Sequence, residues 1–535
     1  MRLRLSSFRC CLLGIFYFVG FCHSIRDFEE QGGNSGGMLE NDYIIVGGGA
    51  AGCSLAATLS QKYRVLLIER GGSPYGNPNI ENMENFVNNL LETSVSSPSQ
   101  VFISEDGVLN NRGRVLGGST AINAGFYSRA STEYIARAGW NLGLVNESYR
   151  WVEDVVAYEP VLANWQSAMM DGLIEVGVTP DNGFTYQHMY GTKVGGTIFD
   201  QNGTRHTAAD LLRNYADHQR LTVILNATVT EILFRSNNEN PSAYGIVYRD
   251  LTGARSNHSV YLKEGGKGEI IVCAGAIGSP QLLMLSGIGP KKQLEKLGIN
   301  VILDQPIVGQ NISDVPMNAV FVPSPSPVDV SLVQVAGITH QDTYIEALSG
   351  LYIPGYTYDG PLPNNNSTSA TFSGGLFVEK IKEVKSRGSL ELLTINPDDN
   401  PKVRYNYLSN PSDLRKCVEG MRIIEKTIES KSFARFKYPS ISALDTFKST
   451  AMAQNNPNAT TSFQKFCKET VSTIWHYHGG CEVDHVVDRD YKVIGVDALR
   501  VVDGSTFHFS PGTNPQATVM MLGRYVGVNI LQQTK

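Results

Sequence analysis

Gly47, Gly49 and Gly52 fall in the spacing G-X-G-X-X-G, and an acidic residue, Glu69, follows about twenty residues on. A turn of bare backbone lets a pyrophosphate approach a helix N-terminus, and a carboxylate at that distance can accept hydrogen bonds from an adenosine ribose. An acid rather than a base there argues against a 2′-phosphate. The motif alone leaves NAD and FAD both open. Near the other end of the chain, Trp475-His476-Tyr477-His478 carries two imidazoles at alternate positions, which share a face if the segment is extended. Imidazole is the side chain whose proton affinity suits base chemistry near neutrality. His485 and His508 read as surface or loop residues, and His478 as a structural histidine. No group of His, Cys and carboxylate has metal-ligand spacing, so no metal is predicted.

The glycine string needs a strand before it and a helix after it. Tyr43-Ile44-Ile45-Val46 is a continuous apolar run suited to a strand buried on both faces, and residues 54–59 have helical character. A second buried run, 64–68, ends at Glu69 and completes a βαβ unit. Residues 221–225, 227–233 and 269–274 also read as strands, the last running into Gly275. From about Pro316 to Phe466 proline and asparagine loops alternate with strands and amphipathic stretches, and glycine strings are absent until after Trp475. A nucleotide-binding unit interrupted by a substrate-bearing layer accounts for this texture.

The 535 residues suffice for two or three such units, and 42% apolar with 18% charged residues is ordinary globular composition. Disorder, collagen and coiled coil are excluded by the same composition. Fifty-three glycines exceed the average share. The formal charge of −6 is scattered, with no basic stripe for nucleic acid. At the start, Arg2, Arg4 and Arg9 precede an apolar stretch from Cys10 to Cys22, too short for the ~20 residues that span a bilayer. Residues 1–24 therefore read as a secretory signal, followed by a loose arm to Met38. Sequons at Asn146, Asn202, Asn226, Asn257, Asn311, Asn365, Asn366 and Asn458 fit a secreted, extracellular glycoprotein of the wall or apoplast. Beyond the leader, Cys53 and Cys273 sit in apolar runs as small hydrophobes. Cys417 and Cys467, on helix-like patterns, are the pair expected to bridge.

Residues 113–123 (Gly-Arg-Val-Leu-Gly-Gly-Ser-Thr-Ala-Ile-Asn) and 275–289 (Gly-Ala-Ile-Gly-Ser-Pro-Gln-Leu-Leu-Met-Leu-Ser-Gly-Ile-Gly) resemble the two signatures of the glucose-methanol-choline (GMC) oxidoreductase family. Residues 475–481, 502–505 and 514–516 are similar to its catalytic and flavin-contacting segments. The resemblance covers essentially the whole mature chain and implies FAD rather than NAD. Residues 123–130, 474–480 and 510–518 place it nearest the HOTHEAD type, in the plant branch that also holds the almond-type mandelonitrile lyases. The lyases of that branch carry a tyrosine, a second histidine and a substrate-domain cysteine where this chain has Ile474, Asn514 and about Ile345. A His and Asn pair is an arrangement of alcohol-oxidising relatives.

What the resemblance implies is an α/β fold with a Rossmann-like FAD-binding domain (40–135, 205–315 and 470–535). A discontinuous α+β substrate domain on an antiparallel sheet (136–204 and 316–469) completes it. His476 becomes the base that takes a hydroxyl proton, and Asn514 the amide donor to the substrate oxygen, a role compatible with capping the helix after it. Gly47, Gly49, Ala50, Ala51 and Gly52 would form the pyrophosphate turn, and Glu69 and Arg70 would hold adenosine. Val229 would flank adenine. Val115, Ser119, Asn123, Ala124, Gly125 and Phe126 would border the isoalloxazine, with Trp475, Gly504, Pro515 and Gln516 completing the flavin's surroundings. The expected activity is FAD-dependent oxidation of a small-molecule alcohol, with long-chain ω-hydroxy fatty acids as the class the branch implies and an electron acceptor left unspecified. Hydroxynitrile lysis with a redox-silent flavin is the alternative, and a non-catalytic wall flavoprotein a third reading.

Overall fold

A computed structural model describes residues 40–92, 94, 96–236, 239–251, 256–353, 372–453 and 462–533. The expected leader and arm and the sequons at Asn365, Asn366 and Asn458 lie outside the described residues. No helix among the described residues is long and apolar enough to cross a membrane.

The buried runs form the expected parallel sheet. Its order is Leu499–Val501, Glu269–Val272, Tyr43–Val46, Val65–Ile68 and Leu221–Ile224, every pairing parallel. Tyr43–Val46 lies at its centre, and all four of its residues are buried, as a strand covered on both faces requires. The chain leaves this strand into the helix Ala50–Leu59, which packs against the long C-terminal helix Gln516–Gln533 and the short Ala209–Tyr215. The ends of the sequence are thereby joined on one face of the sheet. Residues 227–233, expected as a strand, belong to Ala227–Arg235 in a separate three-stranded antiparallel sheet.

A second layer is built on seven strands in the order Ser472–Thr473, Pro316–Pro323, Phe372–Ile381, Thr343–Ile353, Val335–Ile338, Gly191–Val194 and Asp181–Phe184. All neighbours are antiparallel except the last pair. Alternation divides the long strands into two faces. Val320, Val322, Ile345, Ala347, Phe377 and Ile381 belong to an apolar core shared with the helices Asn164–Glu175, Pro411–Ile428 and Phe463–Glu469. The opposite face, with Met317, Ala319, Glu346, Leu348, Leu376 and Val378, borders a cavity. The fold is thus the mixed α/β architecture expected, with its antiparallel substrate-side sheet.

Two segments sit away from the layer with which the sequence grouped them. The helix Leu142–Val156 packs on Gln516–Gln533 and contributes Val145, Tyr149 and Val152 to the nucleotide-side core. Leu390, Val403 and Tyr405 enter that same core. Cys53, Cys273 and Cys481 are buried free thiols, and Cys417 and Cys467 form the disulfide expected, with Cα atoms 6.3 Å apart. It clips Pro411–Ile428 to Phe463–Glu469 across a separation of 50 residues. A cross-link of that span stabilises chiefly by restricting the unfolded chain. Replacing both cysteines by serine is expected to lower unfolding free energy by about 2–4 kcal/mol, read from urea denaturation of the holoprotein.

Candidate active site

A cavity of about 720 Å³ lies where the end of the parallel sheet meets the cavity face of the antiparallel one. Gly47 begins its wall. With φ at +104° and a hypothetical Cβ only 2.4 Å from the carbonyl oxygen of Cys273, this position admits no side chain. The helix that follows carries no acidic residue in its first turn, so its positive end is uncompensated by its own side chains. Glu69 is buried, and its two oxygens accept from the backbone N–H groups of Gly48 and Gly71, both at 2.9 Å. Burial pushes the Glu69 carboxyl up, while Arg70 and these N–H groups pull it down. A carboxylate has about four acceptor sites, so the same group can brace the turn and still receive a ribose hydroxyl.

Gly47, Gly49, Ala50, Ala51, Glu69 and Arg70 all line the cavity, as do Ser119, Asn123, Ala124, Gly125, Phe126 and Val229. Trp475, His476, Gly504, Asn514, Pro515 and Gln516 line it too. Segments 393 and 390 positions apart in sequence are tied through one side chain: Asn123 Nδ2 donates to Gln516 Oε1 at 2.8 Å, and Gln516 Nε2 donates to the Phe126 carbonyl at 2.7 Å.

Two expected cofactor residues are placed elsewhere. Gly52 lies behind the turn, where a Cβ would stand 1.9 Å from the Gly47 carbonyl oxygen, so it serves helix-to-turn packing. Val115 is buried with Ile80, Ala121 and Ile122 in a small apolar cluster. Its backbone pairs with Gly72, and Val115 is not among the residues that line the cavity. Ile345 points into the helix-side core, and the cavity-facing residue beside it is Glu346.

His476 is held by a device that sequence reasoning missed. Asp314 is buried, and its carboxylate accepts from the hydroxyls of Thr473 at 2.5 Å and Tyr407 at 2.6 Å, and from the backbone N–H groups of Val315 and His476. The Thr473 hydroxyl oxygen in turn accepts from the Trp475 N–H at 2.7 Å. Trp475 adopts a left-handed φ of 59°, rare for a bulky residue and tolerated where surrounding bonds over-determine it. The kink falls just before His476, and of the two imidazoles only His476 lines the cavity. His478 instead lies within 3.0 Å of the His476 carbonyl oxygen through Nδ1, the structural role expected of it.

His476 is 8% exposed and lines the cavity. Burial, then the Lys380 ammonium and His478, hold its imidazole well below the usual histidine range. It is therefore neutral, the form that can accept a proton. Asn514 Oδ1 accepts from Lys380 Nζ at 3.1 Å, and its side chain lies within the influence of the Glu346 carboxylate. His485 and His508, expected at the surface, both approach the buried carboxylate of Glu482 through Nδ1 at 3.3 Å. The group stands apart from the cavity lining. Arg112, buried on the cavity wall, was also unforeseen, and burial lowers its pKa well below the usual guanidinium value.

This fold and cavity define a dinucleotide-dependent protein with a titratable base facing the binding space. Residues 41–317 and 384–523 match the GMC oxidoreductase family, and the chain belongs to it. It is 47% identical over 526 residues to Protein HOTHEAD of Arabidopsis thaliana, covering 92% of this chain and 88% of that protein. The (R)-mandelonitrile lyase-like protein of the same plant is 47% identical over 533 residues, covering 96% and 93%. Sinalpyl alcohol oxidase Nec3 of Nesocodon mauritianus is 44% identical over 516 residues, covering 92% and 89%. Among solved structures, pyridoxine 4-oxidase superposes with a TM-score of 0.75 at 22% identity, over 92% of this chain and 99% of that one.

FAD is the cofactor of this family, and the residues present fit it. The glycine turn and helix N-terminus suit a pyrophosphate. Farther along the cavity, the Trp475 indole N–H and His476 Nδ1 are buried without a protein partner.

Burial pushes Asp314 up to about 7 from an ordinary 3.8. An acid whose folded pKa is raised contributes stability that is fully present below the ordinary value and lost as pH rises through the folded one. The stability of the wild type relative to Asp314→Asn is therefore expected to fall between about pH 4 and about pH 7 and level off above. Urea denaturation across that range measures it, and a pH-independent difference would contradict the assignment.

Proposed function

We propose that the protein oxidises the CH–OH group of an alcohol, with His476 as base and Asn514 as the donor that fixes the substrate oxygen. The observation that carries this reading is a neutral, buried imidazole and an anchored amide on the wall of one apolar cavity. FAD, when bound, supplies the hydride acceptor. His476 takes the hydroxyl proton as the C–H bond breaks, a positioned transfer that typically contributes ~10²- to 10⁴-fold. An Asn514 N–H, preorganised toward the oxygen, stabilises the charge that develops there. Met317, Ala319, Leu348, Leu376 and Val378 exclude water and suit an apolar, lipid-like alcohol, in keeping with the long-chain ω-hydroxy fatty acids that the branch suggests. The FAD-binding unit is assigned to 40–135, 205–315 and 470–535 and the substrate unit to 136–204 and 316–469, with Leu142–Val156 packed against the former. Export as a glycoprotein is assigned from the leader-like start and the sequons, of which Asn202 and Asn257 are exposed.

Hydroxynitrile lysis is the second reading, favoured by similarity to the mandelonitrile lyase-like protein. Ile474 and Asn514, both on the cavity wall, depart from the residues expected of the lyases, as does Ile345 in the helix-side core.

Anaerobic mixing of the holoprotein with a panel of long-chain alcohols and, separately, mandelonitrile separates the two. Bleaching of the flavin by an alcohol is expected. Cyanide release with an unbleached flavin would establish lysis instead. His476→Ala is expected to retain FAD and lose about 10²- to 10⁴-fold in the rate of bleaching.

A further inference from the structure

Lys380 and Glu346 are a buried ion pair on the cavity side of the antiparallel sheet, with Nζ and Oε1 2.7 Å apart and side chains 0% and 1% exposed. Their strands pair so that Tyr344 faces Lys380 and Glu346 faces Val378. The two charges are diagonal neighbours on one face, two residues apart in register. An ion pair in such a place is a poor source of stability, because desolvating both charges offsets their attraction. Apolar residues of similar volume would serve a merely structural role as well.

The Asn514 amide lies between the two charges of this pair. Its oxygen takes a hydrogen from Lys380. The Glu346 carboxylate, which can only accept, interacts with the same side chain and favours the amide nitrogen on its side. A flipped amide would set its NH₂ against the ammonium and its oxygen against the carboxylate, losing the charge-assisted bond to Lys380. On the far side, Lys380 presents its positive charge to His476.

We propose that Lys380 and Glu346 are positioning residues for the reaction: together they hold the Asn514 amide in its donor orientation. The catalytic consequence rests on the alcohol-oxidation reading, whereas the amide orientation does not. His476 faces Lys380 from the sheet and His478 from its own segment, and its backbone N–H is bound by Asp314. The pair itself faces the buried Lys193 and the ring of Tyr344, whose centroid is 5.9 Å from Lys380 Nζ. Among these, Lys380 is the strongest charged influence on the imidazole.

The test uses the FAD-loaded protein with Lys380→Met, Glu346→Gln/Lys380→Met and Lys380→Arg. The double variant removes both charges of the pair together and serves where Lys380→Met fails to hold FAD. With an alcohol that the wild type oxidises, kcat/KM is expected to fall about 10- to 100-fold on its plateau in the first two variants. Its acid limb should move to higher pH, because the imidazole protonates more readily without the ammonium. Lys380→Arg should keep the limb in place. A pH titration of the oxidised flavin's absorbance reads the same ionisation without turnover and should move the same way. A crystal structure of the double variant should show the Asn514 side chain displaced. A double variant with the wild-type amide position would overturn the proposal. If no alcohol bleaches the wild-type flavin, the oxidation reading fails, while the amide position still decides this one.

Discussion

The carboxylate of Asp314 is the tie on which the cavity wall that carries His476 depends. It lies just before the strand Pro316–Pro323 and gathers Thr473, Tyr407 and the backbone of His476 around one buried charge. Breaking such a contact leaves hydroxyls and an N–H unpaired away from water, each costing about 1–3 kcal/mol. The cluster therefore acts as a rigid corner. The left-handed turn at Trp475 follows from it, because the Thr473 hydroxyl that bonds Asp314 also accepts from the Trp475 N–H. His476 is aimed into the cavity by backbone that has little freedom to relax.

The site requires both layers at once. The parallel sheet delivers the glycine turn, Glu69 and the N-terminus of the helix Ala50–Leu59. The antiparallel sheet delivers an apolar wall broken by one ion pair. The C-terminal stretch joins them, since Asn514 contacts Lys380 and Glu346 while Gln516, two residues on, bonds the 123–126 loop. Neither layer holds a complete site by itself.

Much of this was legible in sequence because its signals are local. A glycine turn demands backbone without Cβ atoms, and a run such as 43–46 can be buried on both faces only as a central strand. The errors share another cause. Val115 and Gly52 stand inside or beside motifs, and motif membership says nothing about which way a residue faces. Ile345 and Glu346 differ by a single position, and in a strand that reverses the face. Asp314 and Lys380 could not be assigned because their partners come from distant segments: Lys380 meets Asn514 across 134 residues, and Asp314 meets Thr473 across 159. One local signal existed. Glu346 and the adjacent Glu379 and Lys380 place charges in strands that are otherwise largely apolar, and a charge at such a position needs a buried partner or a function.

The choice of asparagine at 514 becomes intelligible beside this pair. A second imidazole there would meet an ammonium on one side and a carboxylate on the other, and its protonation would be coupled to His476 across the cavity. Two interacting bases would share their titration, and the fraction of protein with His476 neutral would depend on both. An amide does not titrate in this range. It can be oriented by the two charges without exchanging protons with either, so the proton chemistry of the wall is left to one residue. Burial and the lysine charge then act on that residue in the same direction, toward the unprotonated imidazole that abstraction of a hydroxyl proton requires.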